Sequence, residues 1–433
     1  MLLLGTIISF SRGHVVDRTE NLIIGAGVSG LAYADWLDSE DYLICEALGE
    51  IGGYCRTIKK AGFVWDFSGH FFHFKNPEIE RYLCERMRDE KIATVVKDSR
   101  IYHKGSYIDF PFQKNIHQLP TEEFAQCLVD LFGRPSEDPE NFKEMLYAKF
   151  GKSIAELFLI PYNEKLYATD LSHLDVDAMG RFFPYADIPD IIRNFRKSDN
   201  SSYNATFTYP EGGAIQYINA LAAGVDRERI RLNERVLEID VEAKVARTTK
   251  GEIAYERLVS SAPFVSLLKM AKQSYDPSFY SYNQVLVFNL GFDRKGLEGV
   301  HWVYFADKEL IFYRVGFYDN IFKTDRMSLY VEIGYPADKK IDEAEVAEMK
   351  ARVLEDLRKC EIVQDHELVA DHHTVMNPAY VHITSESLVD VASKRAALGD
   401  RGVHSIGRYG AWTYCSIEDN IVEARALAEK VQG

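Results

Sequence analysis

The chain has 433 residues, 46% of them hydrophobic, and a formal net charge of −15. With no basic run to offset that acid, nucleic acid and anionic membrane surfaces are excluded as partners, and an anionic substrate has to be held by a few local arginines. A chain of this length can bury more than one core, so roughly two or three structural units are expected.

The N-terminal stretch Met1–Phe10 is apolar but lacks a basic leader and is too short to cross a bilayer. It reads as a tail, residues 1–17 are left open as ordered or not, and no integral membrane span is expected. The first informative element begins near Asn21, where Leu22-Ile23-Ile24 runs into Gly25-Ala26-Gly27-Val28-Ser29-Gly30 and then into Leu31, Ala32, Ala34 and Leu37 at helical spacing. This is a strand, a tight turn and a helix. Gly25 permits the turn, Gly27 lets a pyrophosphate approach the backbone, and Gly30 allows close helix–strand contact. The helix N-terminus offers unpaired N–H groups and a positive dipole end near Val28 and Ser29. Tyr42-Leu43-Ile44-Cys45-Glu46 forms a second strand whose terminal carboxylate suits ribose hydroxyls and excludes a 2′-phosphate. Gly52-Gly53-Tyr54-Cys55-Arg56-Thr57 adds a second phosphate-facing turn with a cation, a combination that points to a flavin dinucleotide.

Farther along, residues 121 to 200 read as helical, starting at Thr121-Glu122-Glu123-Phe124. Residues 230 to 262 show strand patterning with a turn at Lys250-Gly251-Glu252, and are expected to return to the nucleotide unit. Residues 280 to 335 are rich in aromatic and β-branched residues, as in a separate antiparallel sheet. A helix is expected over 417–431. Six cysteines (Cys45, Cys55, Cys84, Cys127, Cys360, Cys415) show no C-x-x-C pairing, which fits reduced thiols in a cytoplasm and no metal site. The expected fold class is α/β: a discontinuous Rossmann-like FAD-binding domain (18–95, 205–265 and 396–433), an inserted helical domain (120–204) and an antiparallel sheet substrate domain (96–119 and 266–395).

Several ordered segments carry a family resemblance: Asp66-Phe67-Ser68-Gly69-His70, Phe110-Pro111-Phe112-Gln113-Lys114-Asn115-Ile116, Pro161-Tyr162-Asn163-Glu164-Lys165-Leu166-Tyr167, Asn204-Ala205-Thr206-Phe207, Phe312-Tyr313-Arg314 and Gly407-Arg408-Tyr409-Gly410-Ala411-Trp412-Thr413-Tyr414. From about Asn21 to its end the chain resembles the UDP-galactopyranose mutase family, in its longer eukaryotic form, within the amine-oxidase-like flavoproteins. The resemblance implies a cytoplasmic FAD enzyme of cell-surface polysaccharide biosynthesis. Its reduced flavin N5 attacks the anomeric carbon of a UDP-hexose and interconverts pyranose and furanose forms, with NAD(P)H as reductant. A nucleotide sugar is the implied partner, and self-association into a homo-oligomer is left open.

The same resemblance implies His70, Arg314 and Arg408 as catalytic residues, the two guanidinium groups gripping the departing diphosphate. It adds Ser68, Gly69, Val236, Gly407, Ile417 and Asp419 to the cofactor residues. Phe112 and Gln113 match the positions that hold the uracil, and Asn163, Tyr167, Asn204, Trp302, Tyr304, Tyr380 and Tyr414 those around the diphosphate and sugar. Ser68 replaces a usual glycine, Tyr167 a usual tryptophan, and Ile321 stands where a tyrosine is expected. For each arginine the other reading is an ion pair, and for His70 and each aromatic it is core packing. Two further functions stay open: an FAD oxidoreductase acting on an amine or sugar alcohol, and a noncatalytic nucleotide-sugar binder.

Overall fold

The computed structural model describes residues 17–135, 138–196 and 205–432, so the apolar 1–10 stretch and Asn204 lie outside the described residues. Two seven-stranded sheets organise the chain. The centre of the first is parallel: Asp17–Ile24 lies between Tyr42–Cys45 and Glu252–Ser260, with Leu22 opposite Leu43 on one side and Leu258 on the other. Leu22 and Ile23 are fully buried, which is why this strand reads as an unbroken apolar run. Its pairing begins at Asp17, earlier than the apolar run at Leu22 suggests. Asp17, Arg18 and Thr19 pair with Ile253–Tyr255 although the first two side chains are exposed, so hydropathy does not mark them.

The segment expected to return to this unit does so. Val236–Asp240 and Val245–Thr248 form a hairpin, and Glu252–Ser260 then runs parallel to the first strand. Val403–Ser405 pairs on the other side of Glu252–Ser260, so Ile24, Cys45, Ser260 and Ser405 all end at one edge. The loops that follow these four strands therefore converge there, where open α/β sheets bind their ligands. Helices Val28–Asp35, Ile215–Ala222 and Ile417–Gln432 cover this sheet through Leu31, Ala32, Ile218, Leu221, Ala424 and Ala428.

The second sheet runs in the order Leu368–Met376, Asn283–Phe292, Ser328–Pro336, Arg314–Phe317, Trp302–Phe305, Ser99–His103, Ser106–Asp109. Its pairs are antiparallel except for Trp302–Phe305 against Ser99–His103. Register places Ile101, Tyr304, Arg314, Glu332 and Val287 in one row across five strands. One face of the sheet packs on helix Glu343–Lys359 through Val346, Val353 and Leu357. The other face, bearing Trp302, Tyr304 and Tyr330, joins the helices of residues 121–194 in a single core. Among the described residues no helix is long and apolar enough to cross a membrane.

Candidate active site

A cavity of about 700 Å³ lies between the converging loops of the first sheet and the inner face of the second. Its nucleotide end is a cradle built of backbone. Gly25 sits at φ +98°, and a Cβ there would stand 2.4 Å from Ser261 Oγ. Gly27 and Gly53 face each other, a Cβ on Gly27 lying 3.8 Å from the Gly53 Cα. Gly30 lies behind the cavity wall, where a Cβ would come within 2.0 Å of the Gly25 carbonyl oxygen. The first-turn N–H groups of helix Val28–Asp35 have no intrahelical acceptor and open on this cradle. Glu46 accepts from the Ala26 and Leu48 N–H groups, each at 2.8 Å, and still borders the cavity. This donor set and glycine cradle fit a dinucleotide pyrophosphate with a ribose at Glu46.

Because the clash at Gly30 is with backbone, it cannot be relieved by a rotamer change. We expect Gly30→Ala to open the helix–strand contact at a cost of about 1–3 kcal/mol, roughly tenfold or more in FAD affinity. The ratio of visible to ultraviolet absorbance of the purified protein measures this.

The chemical end of the cavity is set by the strand register described above. Arg314 and Glu332 are cross-strand partners and form a bidentate pair, with Nε to Oε2 at 2.5 Å and Nη2 to Oε1 at 2.8 Å. The Glu332 side chain is 1% exposed, and Ser68 Oγ donates to it as well. Burial alone would pull the Arg314 pKa down, and the Glu332 carboxylate more than reverses this, so the pair is held charged. Arg408 differs. Its guanidinium lies 5.2 Å from the Tyr380 ring and 4.5 Å from Tyr414, two rings stacked on each other, and it donates to the Cys415 carbonyl at 2.9 Å. Among the described residues no carboxylate forms a salt bridge with it. Arg408 is thus a part-buried cation at the cavity wall that no described carboxylate neutralises.

His70 Nδ1 sits 3.1 Å from the Ser68 carbonyl, which can only accept, so Nδ1 carries the proton and Nε2 is an acceptor. Burial lowers its pKa to about 4, keeping the ring neutral near pH 7. The linkage has a definite sign. The folded pKa lies below the unfolded 6.5, so the unfolded chain binds more protons as pH falls from 6.5 to about 4, and stability is lost over that window. The full effect is up to about 3 kcal/mol. Asp66 acts in the opposite sense. Burial, resisted by hydrogen bonds from Thr57, Tyr209 and Ala214, raises its pKa to about 6, so its protonation favours the fold as pH falls through 6. Melting of apoprotein against pH, wild type compared with His70→Gln, isolates the histidine part: the variant should lose less stability between pH 6.5 and 4.

Of the residues expected at the site, Gly25, Gly27, Val28, Ser29, Glu46, Gly52, Gly53, Arg56, Ser68, Gly69, His70, Gln113, Asn163, Val236, Trp302, Tyr304, Arg314, Tyr380, Arg408, Tyr414 and Ile417 border the cavity. Arg56 is committed to the Gly53 carbonyl at 2.8 Å and to Glu50 at 2.7 Å, so it braces the second turn. Gln113 Oε1 and Asn163 Oδ1 are buried and, among the described residues, have no hydrogen-bond partner, so each can accept from a ligand donor.

Five expected residues do not reach the cavity. Phe112 is fully buried and stacks on Phe158, and it is Phe110 and Phe158 that present rings to the space. Tyr167 is 1% exposed and faces Tyr380 from behind, with its hydroxyl unpartnered. Gly30 and Gly407 serve as close-approach points behind the wall. Asp419 accepts from the Ser416 N–H at 2.8 Å and from Arg181 at 2.5 Å. Its neighbour Asn420 lines the cavity, and the Asn420 Oδ1 accepts from Ser29 Oγ and the Arg408 N–H. Ile321 lies in the short helix Asp319–Phe322, away from the cavity wall. Residues not anticipated include Tyr330, whose hydroxyl stands 2.6 Å from where a Gly69 Cβ would be, and Glu332. An acid inside the apolar run Ser328–Ile333 was the available signal for Glu332.

A family model described as flavin containing amine oxidoreductase matches residues 28–432. The chain is similar to the crystal structure of a reduced UDP-galactopyranose mutase, with a TM-score of 0.87 and 24% identity over 96% of this chain and 94% of that one. It is also similar to a provisional protoporphyrinogen oxidase from Exiguobacterium sp., with a TM-score of 0.74 and 17% identity over 97% and 99%. By sequence it is 22% identical over 189 residues to protoporphyrinogen oxidase 2, chloroplastic/mitochondrial, of Arabidopsis thaliana. That match spans 40% of this chain and 36% of the Arabidopsis protein.

Proposed function

The chain belongs to the flavin containing amine oxidoreductase family, and on that premise we propose that it is an FAD-dependent nucleotide-sugar mutase, interconverting pyranose and furanose forms of a UDP-hexose. When bound and reduced, FAD supplies a nucleophilic N5 for the anomeric carbon, with NAD(P)H as the reductant. The protein's part is to hold the substrate and stabilise its leaving diphosphate. The carrying observation is Arg408, a part-buried guanidinium on the cavity wall with the Tyr380 and Tyr414 rings beside it and, among the described residues, no carboxylate partner. Such a group favours an anion whose charge grows in the transition state. Among the described residues nothing engages the Arg314 Nη1 protons, which add directional donors, while Glu332 fixes the plane of the guanidinium. Gln113 and Asn163 contribute their buried orphan oxygens to donors on the substrate.

A second reading, an FAD-dependent amine or sugar-alcohol oxidoreductase, is favoured by one observation. Glu332 already neutralises Arg314, so this end of the cavity holds less free positive charge than two unpaired arginines would provide. The test is a panel of UDP-hexoses with chemically reduced enzyme, ring form read by NMR, beside an aerobic assay for peroxide with amines and sugar alcohols. Ring interconversion without net oxidation supports the mutase; peroxide formation with no ring change supports the oxidase.

A further inference from the structure

Helix Ile160–Tyr167 follows a π-helical turn, Ala155–Leu159, and presents Tyr162, Asn163 and Leu166 to the cavity. Lys165 points away from it. Its Nζ lies within hydrogen-bond distance of four backbone carbonyls, those of Phe305 at 3.2 Å, Asp307 at 2.9 Å, Leu310 at 2.8 Å and Phe312 at 2.5 Å, which share its three N–H donors. Phe305 ends strand Trp302–Phe305, and the other three lie in the connection from it to strand Arg314–Phe317. Phe305 directly follows Tyr304, and Phe312 lies two residues before Arg314. One ammonium therefore ties the helix that carries Asn163 to both ends of the segment that carries Tyr304 and Arg314.

The arrangement is that of a bound cation. Four carbonyl dipoles turned toward one point repel each other unless a positive charge stands between them, and Lys165 supplies it. Burial pulls its pKa down to about 8, which leaves an ammonium at neutral pH, with the Asp307 and Asp356 carboxylates supporting the charge at longer range. The helix is also pressed onto the sheet: a Cβ on Gly334 would stand 2.2 Å from the Lys165 carbonyl oxygen. The backbone contact with Gly334 and the ammonium thus hold this helix against the sheet together, with Asn283 Nδ2 donating to the Leu166 carbonyl as a further tie.

We propose that Lys165 is a positioning residue, whose ammonium in the carbonyl nest fixes the placement of Asn163 against Tyr304 and Arg314 across the substrate cavity. Its consequence for turnover rests on the mutase reading; the pin itself does not. A groove bounded by Pro161, Glu164, Lys308 and Leu310 reaches Lys165 from outside, so a small amine can enter where the side chain is removed.

The experiment compares FAD-loaded wild type, Lys165→Ala and Lys165→Gln, each with and without ethylammonium, and with tetramethylammonium as a cation that has no N–H to donate. Lys165→Ala is expected to keep its FAD content while kcat/KM for a UDP-hexose falls about 100-fold, the scale of a misplacement near 1 Å. Ethylammonium should restore at least about tenfold of this, and tetramethylammonium nothing, because donors as well as charge are needed. Lys165→Gln, neutral but still a donor, should fall between. Hydrogen exchange of residues 305–316 should quicken in Lys165→Ala and slow again with ethylammonium. A Lys165→Ala enzyme with unchanged kcat/KM per bound FAD overturns the proposal, as does a loss that ethylammonium and tetramethylammonium relieve equally. Should the wild type turn over no UDP-hexose, the proposed function fails and the exchange arm decides the pin: exchange at 305–316 that ignores both the substitution and ethylammonium rejects it.

Discussion

Arg408→Ala should lower kcat by about 10²–10³-fold while the protein remains folded and yellow. The magnitude is that of deleting one preorganised donor to a developing oxyanion in a site shielded from water. Stability should change little, for a reason that follows from the site itself. A part-buried guanidinium packed on Tyr380 and Tyr414 gains about 0.5–2 kcal/mol from their faces but bears partial desolvation of its charge, and alanine removes both. Arg408→Lys should not recover the rate, because an ammonium cannot present the planar fork that a guanidinium offers to a diphosphate. Steady-state kinetics with reduced enzyme, alongside thermal melting, check this. Turnover that survives Arg408→Ala would favour the oxidoreductase instead.

Arg314→Ala should behave differently, losing stability together with activity. Removing the guanidinium leaves Glu332, 1% exposed, as a buried carboxylate without its counter-ion, a defect of about 3–5 kcal/mol. The remaining Ser68 hydroxyl is a neutral donor and cannot replace a bidentate cation. The paired change Arg314→Met with Glu332→Gln should recover most of that stability, since no unpaired charge is then buried, yet stay inactive. Denaturant unfolding of the three variants separates these effects. A single Arg314→Ala as stable as wild type would mean that the Arg314–Glu332 pair contributes nothing to the fold.

The two arginines were found from the chain's resemblance to a family, and the structure gives them unequal situations. Arg314 proved to be in an ion pair, the bland alternative, and at the same time to border the cavity. Its partner lies 18 residues away, which local pattern does not connect: only the antiparallel register of Arg314–Phe317 with Ser328–Pro336 puts the two side chains opposite each other. A shift of one residue would have turned Glu332 to the other face, toward helix Glu343–Lys359. Phe112 and Asp419 carry the same lesson on a smaller scale. One position along a helix rotates a side chain by about 100°, so Asn420 faces the cavity and Asp419 faces Ser416 and Arg181.

The dinucleotide half was legible because its causes are local. Glycine spacing, an apolar strand, a helix start and a carboxylate at the next strand end all fall within residues 22–57, and backbone sterics read them the same way in any context. The chemical half was not legible in that way. Which guanidinium is neutralised, which ring meets the substrate and which ammonium holds Asn163 in place depend on contacts between distant segments, 147 residues apart from Lys165 to Phe312 and 264 from Ser68 to Glu332. Those contacts exist only once two sheets and a helical layer have packed, because charge, burial and orientation belong to the neighbours a side chain acquires and not to the side chain alone.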